Sequence, residues 1–404
     1  MIYDAAVLGA GIAGSAAAKA LASRGWSAVL LDRQRFPRHK VCGEFLSPES
    51  LETLARLGLL EPVQSLSPSR ITQTSLFLEN GGVIRIPLPD AALGVSRYSL
   101  DSAFHREASA AGASIREGAV VLSVERLDGH YELIVRCGGE TEVLRARAVI
   151  AAWGGAGLTG ILPDGRERSS ERRMEGPARN SRGQSARHSA QAPGLVGVKM
   201  HYLSADSAAL ASGGDSVELY FFRGGYAGIN GVEDGKVNIA ALLERGDIPL
   251  NHRSVPAMLE EAARRHPALR ERMAALSPLP DSAAAVSPVR ISMRPAAWSG
   301  IPLIGDAICR IPPLCGDGMS MALRSAELCS AYADGYLRGE FSLSEWEREY
   351  KAAIAREFSR PLRWGRFAES LLSSALLSRA LPALARLAPR AARGMIQSTR
   401  LRIR

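Results

Sequence analysis

Apolar positions along the chain follow two periods, and the changes between them mark out the elements. Residues 3–8 are a short apolar run, residues 16–22 recur with helical spacing, and residues 28–31 form a second continuous run that ends in Asp32. Continuous runs on either side of a helix predict buried parallel strands in a βαβ unit. Leu51, Leu54, Leu57 and Leu59 share one stripe and predict an amphipathic helix over 49–60, and 72–78 with 83–87, around Glu79-Asn80-Gly81-Gly82, predict a hairpin. A helix is expected from Arg97 through Ala110, with Leu100, Phe104, Ala108 and Ala111 on one side and Gly112 as its stop. Alternation at 120–127, 131–136 and 141–144 predicts a three-stranded meander, and 146–152 one more strand that returns to the parallel sheet.

From Gly154 to Pro193 the periodicity is lost and Gly, Ser, Arg and Ala dominate, which predicts a disordered insertion. Strand-like runs at 195–203, 217–222, 226–230 and 237–243 predict an antiparallel sheet, and Pro267 splits two short helices at 255–265 and 267–276. A glycine-rich stretch at 300–324 then precedes mostly helical sequence. This order describes a chain that passes between two domains more than once.

Composition alters the picture locally. The 404 residues carry a formal charge of +9, but 341–404 hold 13 Lys/Arg against 5 Asp/Glu and 154–194 hold 7 against 4. The rest is near neutral, which argues against a nucleic-acid binder. Residues 371–404 contain 7 arginines and no acid, interleaved with leucines. Such helices either lie on an anionic membrane surface or present a solvated charged face. The 5 cysteines form no CxxC pair and the 7 histidines no cluster, so no metal site and no disulfide framework is expected. Reduced thiols, the absence of a basic leader and the absence of an 18-residue apolar run predict a cytoplasmic protein, with the inner membrane face as its one membrane contact.

Between the first strand and the first helix stands Gly9-Ala10-Gly11-Ile12-Ala13-Gly14, with Asp32 about 20 residues on, as a dinucleotide site requires. Such glycines let the backbone approach a pyrophosphate at a helix N-terminus, and the acid accepts from ribose hydroxyls. Gly9, Gly11, Ile12, Ala13, Gly14 and Asp32 are therefore candidate cofactor contacts. The loop Arg33-Gln34-Arg35-Phe36-Pro37-Arg38-His39-Lys40-Val41-Cys42-Gly43-Glu44 supplies cations for phosphate, and Arg33 is placed to stack on an adenine.

Together with Gly300-Ile301-Pro302-Leu303-Ile304-Gly305-Asp306-Ala307, this chain resembles the flavoprotein superfamily of p-hydroxybenzoate hydroxylase, flavin-dependent halogenases and geranylgeranyl reductases. Its basic, Cys-containing loop is similar to that of the reductase-like branch. The resemblance covers residues 1–153 and 195–340. It implies an α/β fold with a Rossmann-like FAD-binding domain of the GR2/p-hydroxybenzoate hydroxylase type, interleaved with an antiparallel-sheet substrate domain and followed by a helical C-terminal tail. The FAD-binding domain would comprise 1–70, 96–153 and 287–340, and the substrate domain 71–95 and 195–286. An insertion at 154–194 and a basic helical region at 341–404 complete the chain.

The resemblance further implies that Gly305 and Asp306 bind the FAD ribityl chain, and that Pro313, Gly316, Gly318 and Met319 lie beneath the isoalloxazine. Arg97, Cys42 and Gly43 would also meet the cofactor. Trp153-Gly154 stands where many hydroxylases of the superfamily have Asp-Gly, and the halogenase tryptophan motif is absent. Tyr226 keeps the tyrosine of a reductase motif, with Gly228 in place of its tryptophan. The implied activity is reduction of a carbon-carbon double bond in an apolar, isoprenoid or polyketide-like substrate, with NAD(P)H or another reductant as electron donor. An FAD-dependent monooxygenase and a flavoprotein electron-transfer partner without turnover of its own are the alternatives. Cys42 and Glu44 are candidate catalytic groups, with a purely structural Cys42 equally open. Tyr220, Phe222 and Tyr226 are candidate pocket residues, although alternate strand aromatics also serve as core.

Overall fold

The computed structural model describes residues 2–156, 194–204, 215–248, 254–289, 295–311 and 316–373. β1 (Ile2–Leu8), α1 (Ile12–Ala22) and β2 (Ala28–Asp32) form the opening βαβ unit, with Ala5 to Leu8 parallel to Ala28 to Leu31. Val7 and Leu30 are fully buried, as expected for strands covered on both faces. The sheet continues through β6 (Ser114–Glu117), β7 (Val120–Leu127), β8 (His130–Cys137) and β9 (Glu140–Ala151) in the order β6-β2-β1-β9-β8-β7.

β9 unites two stretches that the sequence pattern separates. Its first part is antiparallel to β8, from Cys137↔Glu140 to Tyr131↔Ala146, and its second is parallel to β1, from Ile2↔Arg145 to Leu8↔Ala151. The hydrophobic period changes because the strand leaves a half-exposed meander and enters the sheet centre, where Val149 to Ala151 are buried. A change of neighbours thus mimics a break. β6 escapes the sequence pattern because it is a four-residue edge strand with only half-buried side chains. The helix expected at 49–60 is two, α2 (Glu49–Arg56) and α3 (Leu60–Gln64), parted at Gly58.

The second sheet has the order β14-β10-β13-β12-β11-β4-β5-β3. Its strands are β3 (Phe45–Leu46), β4 (Ser69–Phe77), β5 (Val83–Gly94), β10 (Leu195–Ser204), β11 (Ser216–Phe222), β12 (Gly225–Gly231), β13 (Lys236–Glu244) and β14 (Leu276–Val289). The expected antiparallel order has one exception: β11 runs parallel to β4, where the two visits of the chain meet. β14 runs against the sequence pattern, in which Pro278, Pro280 and Pro288 argue against a strand. It lies at the sheet edge, paired among the described residues with β10 alone, where missing N–H donors are tolerated. One face of this sheet is covered by α5 (Val255–Arg265) and α6 (Pro267–Ala274), which bury Met200, Tyr220, Phe222 and Ile239. The other face meets the loop after β2.

α4 (Arg97–Ala110) and α7 (Gly318–Leu337) flank α1, and α8 (Leu343–Ser373) packs on α7. The Tyr350 hydroxyl of α8 donates to the Leu303 carbonyl at 2.8 Å and ties that helix to the Gly305-Asp306 turn. The insertion expected from 154 falls almost wholly, at 157–193, outside the described residues, as does the cationic segment from 374 on. Among the described residues, no helix is long and apolar enough to cross a membrane.

Candidate active site

The three glycines after β1 each have a separate reason. Gly9 adopts φ +111°, and a Cβ there would lie 2.4 Å from the Ala152 carbonyl oxygen at the end of β9. A Cβ at Gly14 would lie 1.8 Å from the Gly9 carbonyl, so α1 sits directly against the turn. Gly11 differs, because a Cβ there would meet only the Arg97 guanidinium, at 3.5 Å. The space beside it is open, which is what a pyrophosphate approaching the backbone needs. Gly11 is the N-cap of α1, no side chain caps that end and its first turn carries no acid. The N–H groups of Ile12 and Ala13 are therefore placed for an anion.

Asp32 orders the rim of this cradle. Its Oδ2 accepts from Ala10 N and its Oδ1 from Gln34 N, both at 2.8 Å. Arg38 NH2 approaches Asp32 at 3.8 Å while its guanidinium lies over the Phe36 ring, 4.6 Å from the centroid. Arg38 Nε is buried with no hydrogen-bond partner among the described residues. Arg33 is exposed.

Arg97 sits beside the cradle, 5% exposed, with Nε and NH2 paired to both Asp101 oxygens at 2.8 and 2.9 Å. Burial works against its charge, but the surrounding groups, Asp101 first and Asp306 with it, together outweigh burial and hold its pKa above the ordinary value. Lys40 is pushed below its ordinary pKa by burial, with Arg97 acting in the same sense. The Gly305-Asp306 turn docks on the end of β9 through Ile304 N to Ala151 O at 2.8 Å, and Gly305 N donates to Ser325 Oγ at 2.9 Å. A Cβ at Gly305 would lie 3.0 Å from that of Ala13, so this turn meets α1 near the cradle. At the start of α7, Gly318 is open and a Cβ at Gly316 would lie 3.1 Å from the Phe45 ring. Met319 is buried, and the neighbouring Ser320 hydroxyl meets those of Ser47 and Ser50 at 2.6 and 2.7 Å. Pro313 lies outside the described residues.

The loop from His39 to Glu44 lies across the open face of the second sheet. Val41 packs where a Gly197 side chain would point, 3.1 Å from the Cβ position. Asn238 Nδ2 donates to Cys42 O at 3.1 Å, and Asn230 Nδ2 reaches Glu44 O at 3.4 Å. Gly43 is exposed with open space at its Cβ position, and Cys42 Sγ accepts from Glu44 N at 3.3 Å. Burial raises the Cys42 pKa, so the group is a thiol and not a thiolate.

Glu44, at φ +55°, is fully buried. Its Oε1 accepts from Arg97 N at 3.0 Å and Lys199 Nζ at 3.1 Å, and its Oε2 lies 2.6 Å from His201 Nε2. Burial disfavours its charge, but the His201 contact and Lys199 overcome it and hold its pKa below the usual carboxylate range. Lys199 Nζ also lies 2.9 Å from His201 Nε2 and 3.2 Å from His39 Nδ1. Burial, reinforced by Lys199 and His201, depresses His39 to about 4.

The three aromatic pocket candidates divide between the faces of the sheet. Tyr220 stacks on Phe77 at 4.4 Å and bonds Glu218, and with Phe222 it belongs to the core beneath α5 and α6. Their place in that core follows from strand parity. Tyr226 is half-buried on the opposite face, in register with Leu242 and beside Gly228 and Asn230. Sequence reasoning passed over Lys199, His201, His39, Asn230 and Asn238. A signal was available: Lys199 and His201 stand two residues apart, hence on one face, within an otherwise apolar strand.

The residues present fit FAD. An open glycine at an uncapped helix start, an orphaned buried arginine nitrogen and a buried, charged Arg97 together make a cradle for a pyrophosphate. Residues 3–176 match the family described as FAD binding domain. The chain is 26% identical over 397 residues, 92% of its length and 88% of the relative's, to digeranylgeranylglycerophospholipid reductase 1 of Methanothermobacter thermautotrophicus. It is 27% identical over 340 residues, 82% of its length and 76% of the relative's, to menaquinone reductase of Mycobacterium tuberculosis. A geranylgeranyl bacteriochlorophyll reductase-like protein of Thermoplasma acidophilum shares the fold, with a TM-score of 0.67 at 18% identity over 92% of this chain and 88% of that one. With that cradle at the start of its first helix, the chain is an FAD-dependent oxidoreductase whose FAD-binding domain is of the p-hydroxybenzoate hydroxylase and geranylgeranyl reductase type.

Proposed function

We propose that this enzyme reduces a carbon-carbon double bond of an apolar, isoprenoid-like substrate. The observation that carries the reading is similarity along 92% of the chain to a relative named as a reductase of a digeranylgeranyl lipid. Bound FAD supplies the hydride, from N5, and a nicotinamide donor is the proposed source of its electrons. In this reading 1–70, 96–153 and 287–340 hold the cofactor, while 71–95 and 195–286 wall the substrate. Gly11 with the N–H groups of Ile12 and Ala13 holds the pyrophosphate, Gly9 and Gly14 let the turn and α1 pack closely enough to present them, Asp32 holds the adenosine ribose and Asp306 the ribityl chain.

The half-buried face of the second sheet supports an apolar ligand. Gly228 and Ala240 are register partners there, with Tyr226 and Leu242 as the adjacent pair, so small side chains leave room beside apolar ones. Cys42 and Gly43, held over this face by Asn238 and Asn230, exclude water from the reacting double bond. Arg97 offsets the negative charge of the cofactor. The cationic residues from 371 on would bring the enzyme to an anionic bilayer in which such a substrate dissolves.

The test is anaerobic reduction of the flavin followed by a geranylgeranyl-type alkene or a menaquinone. Rapid reoxidation with a saturated product supports the reading. Rapid reoxidation by oxygen, stimulated by substrate and giving an oxygenated product, would replace it with the monooxygenase.

A further inference from the structure

The buried cluster behind the 39–44 loop has a proton count that does not close in ordinary ionic states. His201 Nε2 lies between Glu44 Oε2 at 2.6 Å and Lys199 Nζ at 2.9 Å, and one ring nitrogen either carries a hydrogen or accepts one. If it carries the hydrogen it donates to Glu44, and Lys199 must turn a lone pair toward it. If it is bare it accepts from the Lys199 ammonium, and Glu44 must hold a proton. With Glu44 a carboxylate, His201 donating from Nε2 and the Lys199 ammonium donating to Glu44 Oε1 and His39 Nδ1, two donor nitrogens face each other at 2.9 Å with no acceptor between them. The three side chains are at most 3% exposed, so water does not relieve the conflict.

The cluster is connected outward and inward. Outward, His39 and His201 line a cavity of about 260 Å³ together with Lys236 and Asp281. Lys236 arrives from β13 and Asp281 from β14, so a cation and a carboxylate flank the mouth. From the side of α4, Tyr98 stacks on His39 at 4.7 Å, and Glu233 is engaged by Ser96 N at 2.7 Å. Inward, Glu44 follows Gly43 directly and accepts from the backbone N–H of Arg97, whose guanidinium borders the Gly11 cradle.

We propose that Glu44, Lys199 and His201 form a proton-uptake site that takes one proton from the cavity each time the flavin gains an electron pair. A hydride donor delivers two electrons and one proton to the ring, which leaves the site with one added negative charge. A second proton enters through His39 and neutralises it on the cluster, the imidazole of His201 receiving it between Glu44 and Lys199. When the substrate reoxidises the enzyme, one carbon of the double bond takes the hydride and the other takes a proton, and the cluster gives its proton back. This assignment rests on the FAD reading of the site but does not need the substrate to be an alkene.

The test is a spectroelectrochemical titration of the holoenzyme without substrate, across alkaline buffers in which free FAD takes one proton per electron pair. Each proton bound with the pair shifts the midpoint potential about 30 mV per pH unit. The wild type is expected to show a two-proton slope, about 60 mV per pH unit, and His201→Gln and Lys199→Met a one-proton slope. A one-proton slope in the wild type, or an unchanged two-proton slope in both variants, would overturn the proposal. A one-proton slope in the wild type overturns the proposal even where a variant loses FAD, and that result is independent of whether any alkene is reduced.

Discussion

Replacing Gly14 and Gly11 in parallel separates what holds α1 to the sheet from what holds the cofactor. An alanine Cβ at position 14 would lie 1.8 Å from the Gly9 carbonyl oxygen and 3.0 Å from the Ala152 Cβ. The first of these is backbone, so the helix itself must shift. Overpacking of this kind costs about 1–3 kcal/mol, and the upper end applies because no side chain can yield. Alanine returns about 1 kcal/mol of helix propensity, which leaves a net loss of about 2 kcal/mol. In a domain of this size that lowers Tm by about 4–8 °C. At position 11 the added methyl meets only the Arg97 guanidinium at 3.5 Å, an ordinary contact, and the φ of −76° suits alanine. The cost to the fold is then the poorer N-cap, under about 1 kcal/mol. Yet the methyl fills the space through which a pyrophosphate would reach the helix N–H groups. Thermal unfolding of the flavin-free proteins and FAD retention on gel filtration read the two effects. Gly14→Ala should lose Tm in the flavin-free form, and Gly11→Ala should keep its Tm while FAD affinity falls at least tenfold. Gly11→Ala with unchanged FAD retention, or an equal fall in flavin-free Tm for both, would refute the division of labour.

Other outcomes follow from single contacts. Glu44 contributes stability that is complete above the ordinary carboxylate value of about 4.3 and is lost as pH falls through its lower folded value. His39, depressed to about 4 from 6.5, opposes folding once protonated, so urea midpoints should fall as pH drops from 6.5 toward 4, and His39→Gln should flatten that limb. Tyr350→Phe leaves the buried Leu303 carbonyl without its 2.8 Å donor and should cost about 1–2 kcal/mol, visible as a Tm lower by about 2–8 °C. The raised pKa of Cys42 predicts alkylation by iodoacetamide several-fold slower than for free cysteine; an equal rate would show an accessible thiol whose pKa is not raised. Truncation before Leu371 should reduce sedimentation with anionic vesicles, and unchanged sedimentation would remove the membrane-surface reading of the cationic end.

The local pattern by itself determined the βαβ start, the glycine run with Asp32 after it, and the α4 helix, because each is written within about 25 residues of chain. Apolar period, turn glycines and an acid at a strand end are all written along the chain. Gly305-Asp306 came from the flavoprotein resemblance and not from the local pattern, and the 3.0 Å approach of a Gly305 Cβ to Ala13 gives the glycine a packing reason. Other features depended on which strand came to lie beside which. The two halves of β9 look like separate strands because their partners differ, and the proline-bearing β14 becomes a strand only because an edge position leaves its N–H side unpaired.

Tertiary structure likewise decided the chemistry around Glu44. Lys199 stands 155 residues away and His201 157, so nothing in the local sequence tells a buried carboxylate which cations it will meet. Strand parity then sorted the aromatics: Tyr220 and Phe222 went beneath the helices and Tyr226 to the face crossed by the cysteine loop, a choice of side that the alternating pattern allows but does not make. The glycine run and Asp32 were legible because they stand in one short stretch of chain, whereas the polar cluster behind them exists only where the sheet and the loop of two chain segments meet.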